Sequence, residues 1–160
     1  HPDILILGKA LSGGACPVSA VLSCNEVMDV IRPGQHGSTF GGNPIAAAVA
    51  VTALEVVRDE QLADRAYRLG LYSGNRVRKL CETSRVASLV RGKGLLNALI
   101  INNDETKDLA WEICLKLAEN GLLAKPTHTN IIRFAPPLVI TEEQLKECIE
   151  IIKKTIALFE

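Results

Sequence analysis

The sequence predicts a mixed α/β chain of two structural units connected by a long helix. Short apolar runs bounded by glycine, such as residues 4–7, are typical of strands, while 60–81 has the spacing of an amphipathic helix. The composition changes near 45–58, where strands and glycine-rich loops give way to a charged α+β pattern. We therefore expect a first unit over 1–57 and a second over 58–160.

In the first unit, a buried strand is predicted at 3–7 and a second strand at 18–22. A helical turn or two begins at Asn25. The stretch 32–44 holds four glycines and two prolines and is expected to be irregular. The helix 45–57 has apolar residues on nearly every face, which predicts that it is buried between other elements.

In the second unit, strands and helices alternate in short segments. The stretch 86–101 is interrupted by glycines and predicts either one bent strand or a hairpin. The remaining predictions are helices at 60–81 and 106–120, strands at 122–125 and 131–135, and a last helix ending near 159. Gly121 is placed as a C-terminal cap, and Thr141 with Gln144 forms a capping-box pattern.

Composition excludes several classes of protein. Eighteen basic residues balance eighteen acidic ones, so no basic excess indicates a nucleic-acid partner. No apolar run approaches the roughly 20 residues of a membrane span. Five cysteines without a CxxC pair argue against a disulfide framework or a metal site. The chain opens His-Pro-Asp and enters a strand directly, which suggests the C-terminal part of a longer protein.

Lys9 is the first candidate for chemistry. In "DILILGKALSGG", residues 3–14, an apolar strand ends at Gly8 and the lysine follows at once. Partial burial there would lower the lysine pKa and give a nucleophilic amine able to form a Schiff base with a carbonyl cofactor. Ser12 and the neighbouring glycines would let such a cofactor approach the backbone. The alternative is a lysine that extends from the strand end to water.

Two further segments are candidates for binding anions. Ser38 and Thr39 lie among glycines just before a helix, which is a plausible cradle of hydroxyl and N–H donors, or else a flexible connection. Arg133 lies in a short apolar strand and suits a carboxylate, although a structural ion pair or an outward-facing position would also explain it. The turn 91–94 carries solvated charges or contacts an anion.

The order of these segments resembles the class-III pyridoxal-phosphate aminotransferases. The matching stretches are Gly-Lys-Ala-Leu-Ser-Gly-Gly, His-Gly-Ser-Thr-Phe-Gly-Gly-Asn-Pro, Arg-Gly-Lys-Gly-Leu-Leu and Ile-Ile-Arg-Phe-Ala-Pro-Pro. The segments "RGKGLLNA", "GLLAKPTH" and "IIRFAPPLVI" favour the members that act on ornithine. The resemblance covers the whole chain but only the C-terminal part of the family's protein. It implies the end of a large fold-type-I domain followed by the small C-terminal domain.

The resemblance implies a role for each candidate. Lys9 would carry pyridoxal 5'-phosphate and move the proton between substrate and cofactor. Thr39, with Ser38 beside it, would bind the cofactor phosphate of the neighbouring subunit in a homodimer or higher homo-oligomer. Arg133 would hold a substrate carboxylate. The implied reaction transfers the δ-amino group of ornithine to 2-oxoglutarate and yields glutamate-5-semialdehyde and glutamate.

Two alternatives remain open. Acetylornithine, 4-aminobutyrate or another ω-amino acid could be the substrate of the same chemistry. The chain could instead be a non-catalytic piece whose property is dimerisation. The family's acidic partner of the pyridine nitrogen lies before the cofactor lysine, so these 160 residues alone are expected to have little or no activity. The compartment, mitochondrial matrix or cytoplasm, is not decided by this sequence.

Overall fold

A computed structural model describes residues 1–102 and 108–160 of the chain. The chain divides into two compact units, His1–Gln61 and Leu62–Glu160, and each is described by itself. The prediction of a mixed α/β fold is confirmed. The first residues of the predicted helix 106–120 lie outside the described residues.

The first unit contains a two-stranded antiparallel sheet and a long helix. Strand β1 (Ile4–Leu7) pairs with β2 (Ala20–Ser23), with Ile4 opposite Ser23. A single 3-10 turn, Lys9–Ser12, follows β1, and helix α1 (Asn25–Met28) is one turn long. The stretch from 32 to 43 contains no helix or strand, as its glycines and prolines predicted.

Helix α2 (Pro44–Asp59) begins where the sequence predicts a helix start. Asn43 is the N-cap, and its side-chain Oδ1 accepts a hydrogen bond from the Ala46 N–H at 2.8 Å. Pro44 occupies the first helical position, where its missing N–H costs nothing because that donor has no partner within a helix.

The predicted burial of β1 and α2 is wrong for this chain. Ile6 is 75% exposed, and Ile45 on α2 is exposed to the same extent, while only Ala46 and Ala50 of α2 are buried. The sheet has two strands and no layer that covers it within the unit, and α2 packs mainly on the 3-10 turn. Apolar sequence alone does not bury a segment when the surface that would cover it is not in the unit.

In its described residues, 62–102 and 108–160, the second unit is a four-stranded antiparallel sheet with three helices. Its strands are β3 (Ala87–Lys93), β4 (Leu96–Ile101), β5 (Lys125–Thr127) and β6 (Ile131–Phe134), in the spatial order β3-β4-β6-β5. The stretch 86–101 is therefore a hairpin, which decides between the two interpretations of its glycines. Helices α3 (Leu62–Thr83), α4 (Leu109–Glu119) and α5 (Glu142–Ile156) complete the unit.

The core of the second unit lies on one face of this sheet. Val90, Leu99 and Ile132 occupy paired positions on neighbouring strands and are all buried. Ile113 of α4 and Ile156 of α5 belong to the same cluster. Because side chains alternate across a strand, the residues next to this buried row point to the opposite, outer face.

Helix α4 ends in a hydrogen-bonded turn, and the strand predicted at 122–125 lies at Lys125–Thr127 instead. Gly121 has φ +88°, its N–H donates to the Ala118 carbonyl at 3.0 Å, and the Leu122 N–H donates to the Leu117 carbonyl at 2.9 Å. These two bonds are the Schellman pattern that ends a helix with glycine. Leu122 is engaged in this turn, so β5 begins only at Lys125.

Helix α5 begins with the predicted capping box. The Thr141 hydroxyl accepts from the Gln144 N–H at 3.1 Å, and the Gln144 side chain accepts from the Thr141 N–H at 2.9 Å. The helix ends at Ile156, three residues before the predicted end, because the chain turns after Ala157.

Replacing Thr141 by alanine is expected to destabilise the chain by about 1 kcal/mol, because the first turn of α5 loses its hydroxyl acceptor. Urea unfolding followed by far-UV circular dichroism measures this change. The matched control is Thr83→Ala at the C-terminal end of α3, where the threonine is exposed and caps no N-terminus. Equal unfolding midpoints for the two variants would contradict a role for the box.

Candidate functional site

Lys9 lies directly after β1, separated from it by Gly8 alone, and begins the 3-10 turn. Its side chain is exposed, so the burial expected for it from the sequence is not found in this chain. Its backbone has φ +55°, in the left-handed region. That conformation costs a non-glycine residue on the order of 1 kcal/mol, and such strain concentrates at functional sites.

The turn that follows Lys9 is held by a buried serine. Ser12 is 2% exposed, its hydroxyl donates to the Cys16 carbonyl, and it accepts from the Cys16 N–H at 3.2 Å. Gly13 has φ +64°, and a Cβ added there would meet the Ala53 Cβ of α2 at 3.7 Å. The Ser12 hydrogen bonds therefore close the loop 12–16 on itself, while Gly13 beside it lies against α2.

Ser38 and Thr39 are adjacent and exposed in the irregular stretch before α2. The Ser38 hydroxyl accepts a hydrogen bond from the Gly41 N–H at 3.0 Å, which closes a tight turn. The N-terminus of α2 offers fewer donors than the sequence suggested, because Pro44 has no N–H and Asn43 already accepts from Ala46. An anion at this segment would rely on the Thr39 hydroxyl and the loop amides.

Arg133 lies on β6 of the second unit, so the predicted site residues are divided between the units, with Lys9, Ser38 and Thr39 in the first. Arg133 is exposed, whereas its neighbour Ile132 is fully buried on the other face. None of the ion pairs found in residues 1–102 and 108–160 involves Arg133. The outward-facing position is therefore the one observed, and its guanidinium is available to a ligand.

The register places a second cation beside Arg133 that the sequence analysis did not single out. Lys125 on β5 is directly opposite Arg133, and Ala98 on β4 is opposite it on the other side. Arg91 on β3 is in turn opposite Ala98. Directly opposite residues of antiparallel strands project to the same face, so the row Arg91, Ala98, Arg133, Lys125 runs across the outer face of the sheet.

Within residues 1–102 and 108–160, no group of three or more histidine, cysteine or acidic side chains is arranged to hold a metal ion. No helix in these ranges has the length and apolar character needed to cross a membrane. Burial raises the pKa of the Cys114 thiol to about 11, so this cysteine is a protonated core residue at neutral pH.

Residues 1–156 match the family Aminotransferase class-III. A relative from Drosophila melanogaster, "Ornithine aminotransferase, mitochondrial", is 61% identical over 156 residues, which are 98% of this chain and 35% of that protein. The chain thus spans about a third of the length of the curated relatives it matches.

Solved structures of aminotransferases are also similar to this chain. An acetylornithine aminotransferase from Elizabethkingia anophelis superposes with a TM-score of 0.95 and 64% identity, over 99% of this chain and 40% of that one. A structure of ornithine aminotransferase from Toxoplasma gondii, described as having partial occupancy of PLP at its active site, has a TM-score of 0.93 and 48% identity, over 99% of this chain and 37% of that one.

The chain belongs to the class-III aminotransferase family. This confirms the resemblance drawn from its glycine, lysine and arginine segments. Within that family, curated ornithine aminotransferases are among the relatives to which the chain is similar. The family, together with the solved structure described as having partial occupancy of PLP, implies pyridoxal phosphate as the cofactor.

Proposed function

We propose that this chain is the C-terminal part of an aminotransferase that transfers the δ-amino group of ornithine to 2-oxoglutarate. The products are glutamate-5-semialdehyde and glutamate. Residues 1–57 would complete the large cofactor-binding domain, and 58–160 would form the small C-terminal domain. The proposal is supported by 61% identity to a curated relative of that name and by a match of residues 1–156 to the family.

The observation that carries the proposal is the conformation of Lys9. The Lys9 backbone has φ +55°, directly after a strand and before a turn fixed by Ser12. This conformation is energetically costly for a lysine, and its side chain is exposed. Core packing does not explain it, because Lys9 is exposed in this chain. A requirement that the amine stand at one defined place does explain it.

The residues present fit pyridoxal phosphate. Lys9 supplies the primary amine that attaches a carbonyl cofactor, and the open space beside Gly14 leaves room for a bulky group near the turn. Thr39, with Ser38, supplies hydroxyls for a phosphate. When bound, the cofactor withdraws electrons from the substrate carbon that loses a proton. Lys9 Nζ would carry that proton as the general base.

Arg133 is assigned to a substrate carboxylate. A guanidinium holds a carboxylate by two parallel hydrogen bonds, and Arg133 is exposed with no acidic partner among the ion pairs of the described residues. Its place on a strand of the four-stranded sheet fixes the backbone from which it extends. Arg133 would therefore orient the amino donor or acceptor during the reaction.

We assign the exposed apolar surface of the first unit to contacts with a neighbouring subunit. Ile6, Val21 and Leu54 are each about half exposed or more, which is unusual for a surface that stays in water. A homodimer or higher homo-oligomer would cover part of it, with Thr39 reaching the cofactor of the neighbouring subunit. Some of the relatives are named mitochondrial, so the mitochondrial matrix is the proposed location and the cytoplasm is the alternative.

The decisive test is the site of cofactor attachment. The full-length protein and the 160-residue chain are each mixed with pyridoxal phosphate, reduced with borohydride and examined by intact mass and peptide mapping. One pyridoxyl adduct at Lys9 in the full-length protein is expected. The chain alone is expected to show little specific attachment and no transamination. Absence of an adduct at Lys9 in both proteins would overturn the proposal, and a non-catalytic dimerising piece would then be favoured.

A second substrate is favoured by one specific observation. The Elizabethkingia anophelis structure that superposes on this chain with 64% identity is named an acetylornithine aminotransferase. The ratio of kcat/KM for ornithine to that for acetylornithine, measured on the full-length enzyme, separates the two. A higher kcat/KM for ornithine would support ornithine as the substrate. A higher kcat/KM for acetylornithine would support acetylornithine instead.

A further inference from the structure

All charged residues on the strands of the four-stranded sheet are basic. The strands β3, β4, β5 and β6 contain no aspartate or glutamate. Their basic residues are Arg91, Lys93, Lys125 and Arg133, and all four are exposed. Two of them, Lys125 and Arg133, are directly opposite each other on neighbouring strands.

Like charges placed directly opposite each other destabilise a sheet. The Cβ atoms of such a pair are about 4.5–5.5 Å apart, so both long side chains start from nearly the same point. In residues 1–102 and 108–160, no ion pair offsets either Lys125 or Arg133. An arrangement that opposes folding, and that the fold does not compensate, is expected where a ligand supplies the missing charge.

A small residue separates two of the cations. Ala98 lies between Arg91 and Arg133 in the same row, so no bulky side chain stands between them. Arginine offers a planar fork to a carboxylate, whereas lysine offers a compact charge that can approach the same anion from the side. The row therefore fits one small carboxylate better than it fits an extended polyanion.

We propose that Lys125 is a further substrate-binding residue that shares one substrate carboxylate with Arg133, while Arg91 strengthens the positive field from the far side of Ala98. The ligand class is a small 2-oxo acid or amino acid. This inference rests on the proposed function, because it takes the carboxylate of Arg133 to belong to a substrate. It adds a specificity determinant for carboxylate-bearing acceptors.

Steady-state kinetics of the full-length holoenzyme test the inference. For Lys125→Gln, KM for a 2-oxo acid acceptor is expected to rise about tenfold, with kcat changed by less than about twofold, because the lost contact is made before the chemical step. KM for an uncharged aldehyde acceptor is expected to stay the same. Lys125→Arg restores the positive charge and is expected to recover most of the affinity.

Matched measurements separate binding from structure. Lys79→Gln removes an exposed lysine from α3 and should leave all KM values unchanged. If Lys125 were structural, Lys125→Gln would lower the urea midpoint, whereas relief of like-charge repulsion predicts a midpoint that is unchanged or higher. Unchanged KM for the 2-oxo acid in Lys125→Gln, or an equal rise with the aldehyde, would overturn the inference.

The two proposals can fail independently. A pyridoxyl adduct at Lys9 that persists in Lys125→Gln while KM stays unchanged leaves the proposed function standing and removes this inference. If the parent protein forms no adduct at Lys9, calorimetry of 2-oxoglutarate binding to the cofactor-free protein still decides the role of Lys125. A loss of affinity of about tenfold in Lys125→Gln would support it, and equal affinity would refute it.

Discussion

Replacing Lys9 by alanine in the full-length enzyme is expected to lower kcat for transamination by about a thousandfold or more, since the variant lacks both the attachment point and the proton carrier. Borohydride reduction should then give no pyridoxyl adduct at position 9. The measurement is single-turnover and steady-state kinetics with ornithine, beside intact mass of the reduced protein.

A small primary amine added to the solution should partly restore the Lys9→Ala variant, because it can replace the missing Nζ as proton carrier. Lys79→Ala, which removes an exposed lysine from α3, is the matched control and should keep full activity. Activity in Lys9→Ala close to that of the parent, or an adduct that persists at another lysine, would contradict the assigned role.

The backbone strain at Lys9, on which the proposed role of this lysine rests, can be tested by a stability measurement without an activity assay. Glycine adopts φ +55° without the steric cost that lysine and alanine incur there. Lys9→Gly is therefore expected to be more stable than Lys9→Ala by about 1 kcal/mol in urea unfolding. Equal stability of the two variants would mean that the left-handed backbone at this position stores no strain.

The sequence could predict the elements whose signals are local. The Thr141–Gln144 box depends on a few neighbouring residues, and helix α5 begins there in the structure. The glycines at 92–94 could not decide between a bent strand and a hairpin, because that depends on the pairing of β3 with β4. Pairing is a contact between residues distant in sequence.

The burial predicted for the first unit is not found, for a physical reason. In the second unit, the helices that cover Leu99 and Ile132 are part of the same chain, so apolar residues find partners. In the first unit, Ile6 and Ile45 are as apolar but have no such layer. An apolar pattern indicates that a segment needs cover, and it does not say that the cover is present.

The candidate site also contains one residue that a local sequence signal indicates and one that only strand pairing reveals. Lys9 could be singled out because a charged residue at the end of an apolar run is conspicuous in the sequence. Lys125 could not be singled out in this way, because its proposed role depends on its position opposite Arg133 on the neighbouring strand. The two residues are eight positions apart in sequence. The register that brings these cations together is set by the packing of Ile132 and Leu99 on the inner face.

The second unit contains a pair of glycines on one helix for which the same substitution is expected to have opposite effects. Gly70 and Gly74 are both buried on α3, one turn apart. A Cβ at Gly70 would lie 2.2 Å from the Gly94 carbonyl oxygen, whereas a Cβ at Gly74 would meet no atom within 4 Å. Helix α3 thus contacts the backbone of the β3–β4 turn at the first position and borders a cavity of about 320 Å³ at the second.

Gly70→Ala is expected to destabilise the chain by about 3 kcal/mol, because the contact is with backbone that cannot rotate away. Gly74→Ala is expected to stabilise it by about 1 kcal/mol, since alanine favours the helix and the space is open. Urea unfolding of the two variants measures the difference. Because helix propensity changes equally in both, the contrast isolates the close approach of α3 to Gly94. Similar midpoints for the two variants would show that the β3–β4 turn can move away from α3, and the positions of Arg91 and Lys93 beside it would then not be fixed by that helix.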